Sequence, residues 1–265
     1  METPPKNNPK PDLRPTERFS NRVENYIRYR PGYPSELVDC LRQNCGLTQN
    51  SRIADVGSGT GKLAELFLEN GNRVFGIEPN DAMREAGERL LSKYPNFSSV
   101  AATAEATSLE SQSMDFVIAG QAFHWFNRSQ ARQEFERILK PRGWVVLVWN
   151  ERLTLTPFLA AYEEMLQRYS KDYEHVDHRQ ITGPVLAEFY HPGSFASAIL
   201  PNRQRFDFAA LKGRLLSSSY VPVEGETGHE EALRALSEIF ERHAVGGVVG
   251  FEYETKIYYG RLAAW

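Results

Sequence analysis

The sequence predicts an α/β protein built on a doubly wound, mostly parallel sheet, and three observations carry that expectation. Short strand-like segments alternate with amphipathic helical ones across residues 52–149. A glycine-rich turn, Gly57-Ser58-Gly59-Thr60-Gly61, stands at the first strand-to-helix junction. Residues 143–149 are rich in Val and Trp and bounded by Pro141 and Asn150, the pattern of a strand buried on both faces.

Taken in order, residues 1–18 are expected to form a disordered tail, since five of the first fifteen residues are proline and no apolar stretch follows Met1 to act as a secretory signal. Ser35 caps a helix with Leu37, Val38 and Leu41 on one face, closed by Gly46. The first strand, 52–56, runs into the glycine turn and a helix carrying Leu63, Leu66 and Phe67 that stops at Gly71. The unit then repeats: a strand over 73–77 with Glu78 at its end, and a helix with Met83, Ala86 and Leu90 inward that Tyr94-Pro95 terminates. Short strands at 99–102 and 115–119, a helix over 129–140 and the 143–149 strand complete a core spanning 19–150, whose first residues form an N-terminal cap segment.

Beyond residue 150 the alternation breaks. Phe158, Ala161, Tyr162, Met165, Leu166 and Tyr169 make an apolar helical stripe, and the polar, turn-rich residues after it mark 151–193 as a helical cap insertion. Residues 194–265 complete the sheet with strands at 195–208 and 248–259, joined through a helix holding Leu233, Leu236, Ile239 and Phe240 and the turn Gly246-Gly247.

Composition excludes several classes. With 31 Lys+Arg against 34 Asp+Glu, the formal charge of −3 argues against a protein that coats nucleic acid. The longest apolar run, 144–149, is far too short to cross a bilayer, so a cytoplasmic protein without membrane insertion is expected. Cys40 and Cys45 make neither a disulfide framework nor a zinc site and are expected as two reduced thiols.

The glycine loop lets backbone approach a nucleotide-like ligand with no Cβ in the way. Its spacing is G-x-G-x-G rather than the dinucleotide G-x-G-x-x-G, and Asp55 lies just ahead of it. A carboxylate there repels a pyrophosphate and suits an ammonium or sulfonium group. Glu78, at the end of the second strand, is placed to accept hydrogen bonds from ribose hydroxyls. Together they indicate an adenosine ligand carrying positive charge; a nicotinamide oxidoreductase is the competing reading.

These residues resemble the class I S-adenosylmethionine-dependent methyltransferases. Residues 53–61, Ile-Ala-Asp-Val-Gly-Ser-Gly-Thr-Gly, look like the first motif of that family, and Val74-Phe75-Gly76-Ile77-Glu78-Pro79-Asn80 like its second. The stretches Tyr26-Ile27-Arg28-Tyr29-Arg30-Pro31-Gly32-Tyr33-Pro34 and Gly120-Gln121-Ala122-Phe123-His124-Trp125-Phe126 look like type-11 enzymes of the trans-aconitate methyltransferase branch. The resemblance implies a seven-stranded Rossmann-like sheet, S-adenosyl-L-methionine as cofactor with S-adenosyl-L-homocysteine as product, no metal, and a small-molecule methyl acceptor. It also implies cofactor contacts at Tyr26, Arg30, Asp55, Gly57, Ser58, Gly59, Gly61, Glu78, Pro79, Met83, Ala104, Glu105 and Gln121. Within that set Arg30 would face the methionine carboxylate, Glu78 the ribose, Met83 the adenine face, and Ala104 and Glu105 the adenine edge. His124 and Trp125 would face the transferable methyl. O-methylation of a carboxylate is the expected chemistry; C- or N-methylation of a lipid-like or quinone substrate, and non-catalytic cofactor binding, are the alternatives. An ionised carboxylate acceptor needs no base, so His124 orients it, whereas a hydroxyl or amine acceptor makes His124 a general base. A half-buried structural histidine and a core tryptophan are the plain readings of the pair.

His175 and His178, with Glu174 and Asp177, have ligand-like types, but their spacing reads as a solvated loop rather than a metal site. Ser217-Ser218-Ser219-Tyr220 and Tyr258-Tyr259 offer hydroxyls and read first as structural.

Overall fold

The computed structural model describes residues 22–171 and 181–262, so the proline-rich tail and the His175 and His178 stretch lie outside the described residues. In chain order the elements are α1 (Val23–Tyr29), α2 (Glu36–Cys45), β1 (Arg52–Val56), α3 (Lys62–Glu69), β2 (Arg73–Ile77), α4 (Asp81–Leu91), β3 (Phe97–Val100), β4 (Met114–Gly120), α5 (Arg128–Ile138), β5 (Leu139–Arg152), α6 (Pro157–Tyr169), α7 (Gly183–Tyr190), β6 (Phe195–Phe206), α8 (Phe208–Leu216), α9 (His229–His243) and β7 (Val249–Gly260). The seven strands lie in the order β3-β2-β1-β4-β5-β7-β6. Strands β1 to β5 run parallel, and β7 enters antiparallel between β5 and β6. This is the doubly wound, mostly parallel sheet that the sequence predicts.

Alternation along each strand sorts side chains between two cores. Val117, Ala119, Val145 and Leu147 face one layer with Phe135 of α5, while Phe116, Ile118, Val146 and Val148 face the other with Leu41 of α2 and Phe67 of α3. Strand β5 is therefore buried on both faces, as its Val-rich sequence requires. It is also longer than the 143–149 segment, because its C-terminal half pairs with β7 from Val145 opposite Gly260 to Arg152 opposite Tyr253.

That overrun creates a third core. The far ends of β6 and β7 contribute Phe206, Val249, Phe251 and Tyr253, which pack with Phe158, Tyr162 and Leu166 of α6, Leu211 and Leu215 of α8, and Leu236 and Ile239 of α9. Of these helices, α8 reaches the ends of β1, β4 and β5, where its Arg214 lines a cavity. The two helices described within 151–193 pack in different layers. Helix α6 belongs to the third core, whereas α7 buries Leu186, Phe189 and Tyr190 against the α5 layer. Helix α7 follows the usual start signal of a proline in the first turn, Pro184, which the polar surroundings mask.

Helix α8 also differs from the extended segment predicted up to Phe208. Asp207 accepts a hydrogen bond from the Ala210 N–H at 2.8 Å and turns the chain from strand into helix. Helix α1 lies across α8 where Gly213 leaves room for it: a Cβ at Gly213 would sit 1.9 Å from the Tyr29 ring. Long-range bonds strap it down, with Arg22 donating to the carbonyls of Ser218 and Val221, and Lys62 Nζ to the Ile27 carbonyl at 2.9 Å. Cys40 and Cys45 are both free thiols. Among the described residues no helix is long and apolar enough to cross a membrane.

Phe123, fully buried, meets Phe126, Trp149 and Phe189 edge to face at ring centroid separations of 6.0, 6.2 and 4.6 Å. It thereby pins the turn after β4 to β5 and α7. Phe123→Ala should lower unfolding free energy by about 3–5 kcal/mol in urea titration. A loss below about 1 kcal/mol would show that this turn is not anchored there.

Candidate functional site

The carboxyl ends of β1, β4 and β5, where open α/β sheets place ligands, enclose a cavity of about 160 Å³. Strand β1 brings Asp55, and the glycine loop after it brings Gly57 and Ser58; the segment after β4 brings Gln121, His124 and Trp125. Strand β5 ends there with Asn150, Glu151 and Arg152, and β7 contributes Tyr253. The roof adds Tyr26 of α1, then Arg30, Pro31 and Tyr33, then Arg214 of α8 with Ser219 and Tyr220 beyond it.

Local backbone explains the floor. Gly57 has φ +70°, and a Cβ there would lie 2.5 Å from the Ala122 Cβ, so the turn after β1 and the turn after β4 meet only because this residue is glycine. Gln121 also has positive φ, +56°, and donates from Nε2 to the Asn150 carbonyl at 3.1 Å, joining the ends of β4 and β5. Asn150 in turn donates to the Gly32 carbonyl at 3.1 Å and accepts from Thr255 Oγ1 at 2.6 Å, which ties the roof segment to the sheet.

The electrostatics of the two ends differ. At the glycine-loop end Asp55 is 1% exposed and neither carboxyl oxygen makes a well-formed hydrogen bond. Burial pushes this carboxyl up to about 8; the nearby Ala64 N–H draws it down and the Glu78 charge adds to the rise. Glu78 is fixed from behind the loop, its Oε2 accepting from the Gly59 N–H at 2.8 Å and its Oε1 from the Asn80 N–H at 2.9 Å. Burial raises it as well, opposed by those two N–H groups.

At the roof end the charge is positive. The Arg152 guanidinium pairs with buried Glu163 and lies 4.7 Å from the centroid of the Tyr162 ring. Arg30 donates to the Ser217 carbonyl at 3.1 Å and to Ser218 Oγ at 3.2 Å, and Arg214 reaches the same hydroxyl at 3.2 Å. Burial lowers Arg30, and Arg214 beside it lowers it further. Burial alone would raise the Tyr220 phenol, yet Arg30, Arg214 and Arg152 outweigh it and leave that hydroxyl below its usual value.

Of the residues read from sequence, Tyr26, Arg30, Asp55, Gly57, Ser58, Gln121, His124 and Trp125 meet in this cavity. Gly59, Gly61, Glu78, Pro79, Met83, Ala104 and Glu105 lie outside its lining. Gly61 packs against Leu91 of α4, Met83 reaches Gly59, Ala104 is in the core, Pro79 is exposed, and Glu105 accepts from the Asn127 N–H at 2.8 Å ahead of α5. The His124 and Trp125 rings lie against each other at 4.8 Å. Lys62, Asn150, Arg152, Arg214 and Tyr253 escaped sequence reasoning, and Tyr33 was singled out only as part of the 26–34 stretch. The signal was there for Arg214, a lone arginine among Leu211, Leu215 and Leu216 on an apolar helix. Among the described residues no cluster of His, Cys, Asp or Glu is placed to hold a metal ion.

An acid whose folded pKa is raised keeps its proton in the native state while the unfolded chain loses it. Asp55 therefore costs stability progressively as pH rises from about 4 to 8, and no further above that. Asp55→Asn should gain on the parent protein by a few kcal/mol between pH 4 and pH 8, about 1.4 kcal/mol for each pKa unit involved, in paired chemical denaturation. A difference that does not change with pH would contradict the buried, proton-holding carboxyl.

Comparison with known proteins gives a consistent picture. Residues 54–147 match the methyltransferase domain family. An uncharacterized methyltransferase-like protein of Schizosaccharomyces pombe is 34% identical over 155 residues, which is 58% of this chain and 59% of the yeast protein. An uncharacterized methyltransferase of Mycobacterium bovis is 36% identical over 134 residues, 51% of this chain and 52% of its own. The matched stretch thus spans a half to three-fifths of those relatives. Among solved structures, a protein provisionally assigned as a type II methyltransferase of Anaeromyxobacter dehalogenans superposes with a TM-score of 0.66 at 22% identity, covering 89% of this chain and 100% of that one. Haemonchus contortus phosphoethanolamine N-methyltransferase 2, solved with phosphomonomethylethanolamine and S-adenosylhomocysteine, has a TM-score of 0.51 at 14% identity over 91% of this chain and 57% of that one. At these identities the structural likeness is one of fold, the Rossmann-like methyltransferase sheet.

Proposed function

We propose that this chain is an S-adenosylmethionine-dependent methyltransferase that O-methylates a carboxylate on a small organic acceptor. The observation that carries the reading is one cavity lined both by a buried carboxyl, Asp55, whose oxygens make no well-formed hydrogen bond, and by the buried guanidiniums of Arg30 and Arg214. The match of residues 54–147 to the methyltransferase domain supports it, as does S-adenosylhomocysteine in the Haemonchus enzyme of the same fold.

The residues fit that cofactor. Asp55, uncomfortable as an isolated buried acid, gains a partner in an ammonium or sulfonium group and becomes a carboxylate. Arg30, which has no carboxylate partner among the described residues, would take the methionine carboxylate as a planar fork. Glu78, already oriented by two N–H groups, keeps lone pairs for the ribose hydroxyls. Gly57, on the cavity lining, lets the turn after β1 close against Ala122. When bound, the cofactor supplies a methyl carbon activated by a sulfonium.

The remaining work is positioning and exclusion of water. Methyl transfer is an in-line displacement, so holding the acceptor oxygen opposite the leaving sulfur accounts for much of the rate. Tyr26 and Tyr33 on the roof, and His124 and Trp125 on the floor, wall off the space in which an acceptor would lie. A carboxylate needs no proton removed, and its attack cancels opposite charges, a change that a dry cavity favours. His124 then orients the acceptor. A lipid or quinone acceptor calls for an apolar cavity; this one is lined by Arg30, Arg152 and Arg214.

Calorimetric titration should show saturable binding of S-adenosylhomocysteine and none of NAD, and Glu78→Ala should weaken it by about 1–3 kcal/mol. Binding of NAD instead would overturn the cofactor assignment. With methyl-labelled cofactor and a panel of small carboxylic acids, the product label should be released as methanol by mild alkali, as an ester requires. Label that resists alkali would replace the carboxylate oxygen with another acceptor atom.

A further inference from the structure

Strand β4 ends in a glycine that its own backbone does not require. Gly120 pairs with Val148 of β5 as a regular strand residue, without the positive φ of the glycines in the turns. Yet a Cβ there would lie 2.4 Å from the Tyr33 hydroxyl oxygen, 3.0 Å from the ring carbon that bears it and 2.9 Å from Leu63 Cδ2. A glycine inside a strand often marks a close approach, and here what approaches is a phenol.

Further constraints act on that phenol. Pro34 restricts the Tyr33 backbone that precedes it. The Gly32 carbonyl accepts from Asn150 Nδ2 at 3.1 Å and from Asn202 Nδ2 at 2.9 Å. The Tyr33 ring packs on the core that holds Leu37, Leu41 and Leu63. Its hydroxyl is therefore a fixed group on the cavity lining at the end of β4, between the Asp55 strand tip and the turn that carries His124 and Trp125.

The electrical setting suits a neutral oxygen. Burial holds the phenol well above its usual value, the Tyr26 and Asp55 charges push the same way, and no hydrogen bond from a described residue opposes them. Arginines act on the Tyr26 and Tyr220 phenols of the same cavity but not on Tyr33. Its lone pairs are thus left for a ligand. A methyl group on a sulfonium is drawn to such an oxygen, because the charge on sulfur polarises its C–H bonds. A phenolate in the same place would be a nucleophile and would take the methyl itself. Keeping the proton on Tyr33 keeps it from competing with the acceptor.

We propose that Tyr33 is a catalytic residue whose hydroxyl oxygen holds the cofactor methyl at the end of β4, turned toward the acceptor space walled by His124 and Trp125. In the transfer the bond from acceptor oxygen to carbon forms as the carbon–sulfur bond breaks, its electron pair stays on sulfur, and Tyr33 keeps its proton throughout. The inference rests on the methyl-transfer reading of the cavity.

The test is calorimetric titration of the full-length protein with S-adenosylmethionine and with S-adenosylhomocysteine, which differ by the methyl and its charge. Tyr33→Phe keeps the ring and removes the oxygen. It should weaken S-adenosylmethionine by about two- to fivefold and leave S-adenosylhomocysteine within error, so that the preference for the methylated ligand falls. With cofactor isotope-labelled at the methyl, the bound methyl proton resonance should also move upfield in Tyr33→Phe, since the ring remains and only the oxygen contact is lost. A residue that merely walls the cavity would leave the ratio of the two affinities as in the parent, whether both change alike or neither does. That result overturns the proposal and leaves the cofactor assignment standing. Should Tyr33→Phe fail to fold by circular dichroism, Gly120→Ala drives the hydroxyl off the end of β4 and should lower the same ratio. An unchanged ratio in that folded variant overturns the proposal. If the parent binds neither ligand, the methyltransferase reading fails and the inference falls with it.

Discussion

A carboxyl group sealed at the tip of a central strand and given no partner cannot hold its charge, and Asp55 is in that position. The consequence spreads outward from β1. The turn that follows has to pass within contact distance of Ala122, which demands glycine at position 57, and the loop beyond it is fixed by the Gly59 N–H bonded to Glu78. The strand ends, the glycine turn and the carboxyl form one rigid corner, and the rest of the cavity is assembled over it.

The roof shows the opposite imbalance. Helices α1 and α8 cross at Gly213, and their junction brings Arg30 and Arg214 to the same serine hydroxyl. Two like charges held together in a buried cavity oppose one another, and Tyr220 between them registers the field. Among the described residues no ion pair joins the Asp55 carboxyl to the Arg30 or Arg214 guanidinium that lines the same cavity.

The parallel core was legible in the sequence because local pattern and tertiary role agree there. The alternation of Val145 to Val148, the stop at Gly71 and the glycine turn each report a short-range requirement. Asp55 and Glu78 are likewise placed by the strands that carry or precede them, although only Asp55 lines the cavity. The roof was far less legible. Arg214 reaches the cavity only because β6 and β7 overrun the sheet and carry α8 back across the strand ends, and α1 is held by bonds to Ser218 and Val221 nearly two hundred residues away. No periodicity reports contacts of that range. Helix α8 was hidden for a local reason too, since the chain turns from strand to helix at Asp207 with no proline or glycine to mark it.

On binding a cationic ligand the Asp55 carboxyl should give up its proton. The direct measurement is calorimetric binding of S-adenosylhomocysteine at pH 7 in buffers of different ionisation enthalpy, which counts protons released. With the carboxyl near 8 when empty and ionised when paired, about one proton should leave per ligand bound, and none in Asp55→Asn. Saturable binding with no proton released would show that Asp55 is not the cation's partner, and the account of the cavity built on it would fail.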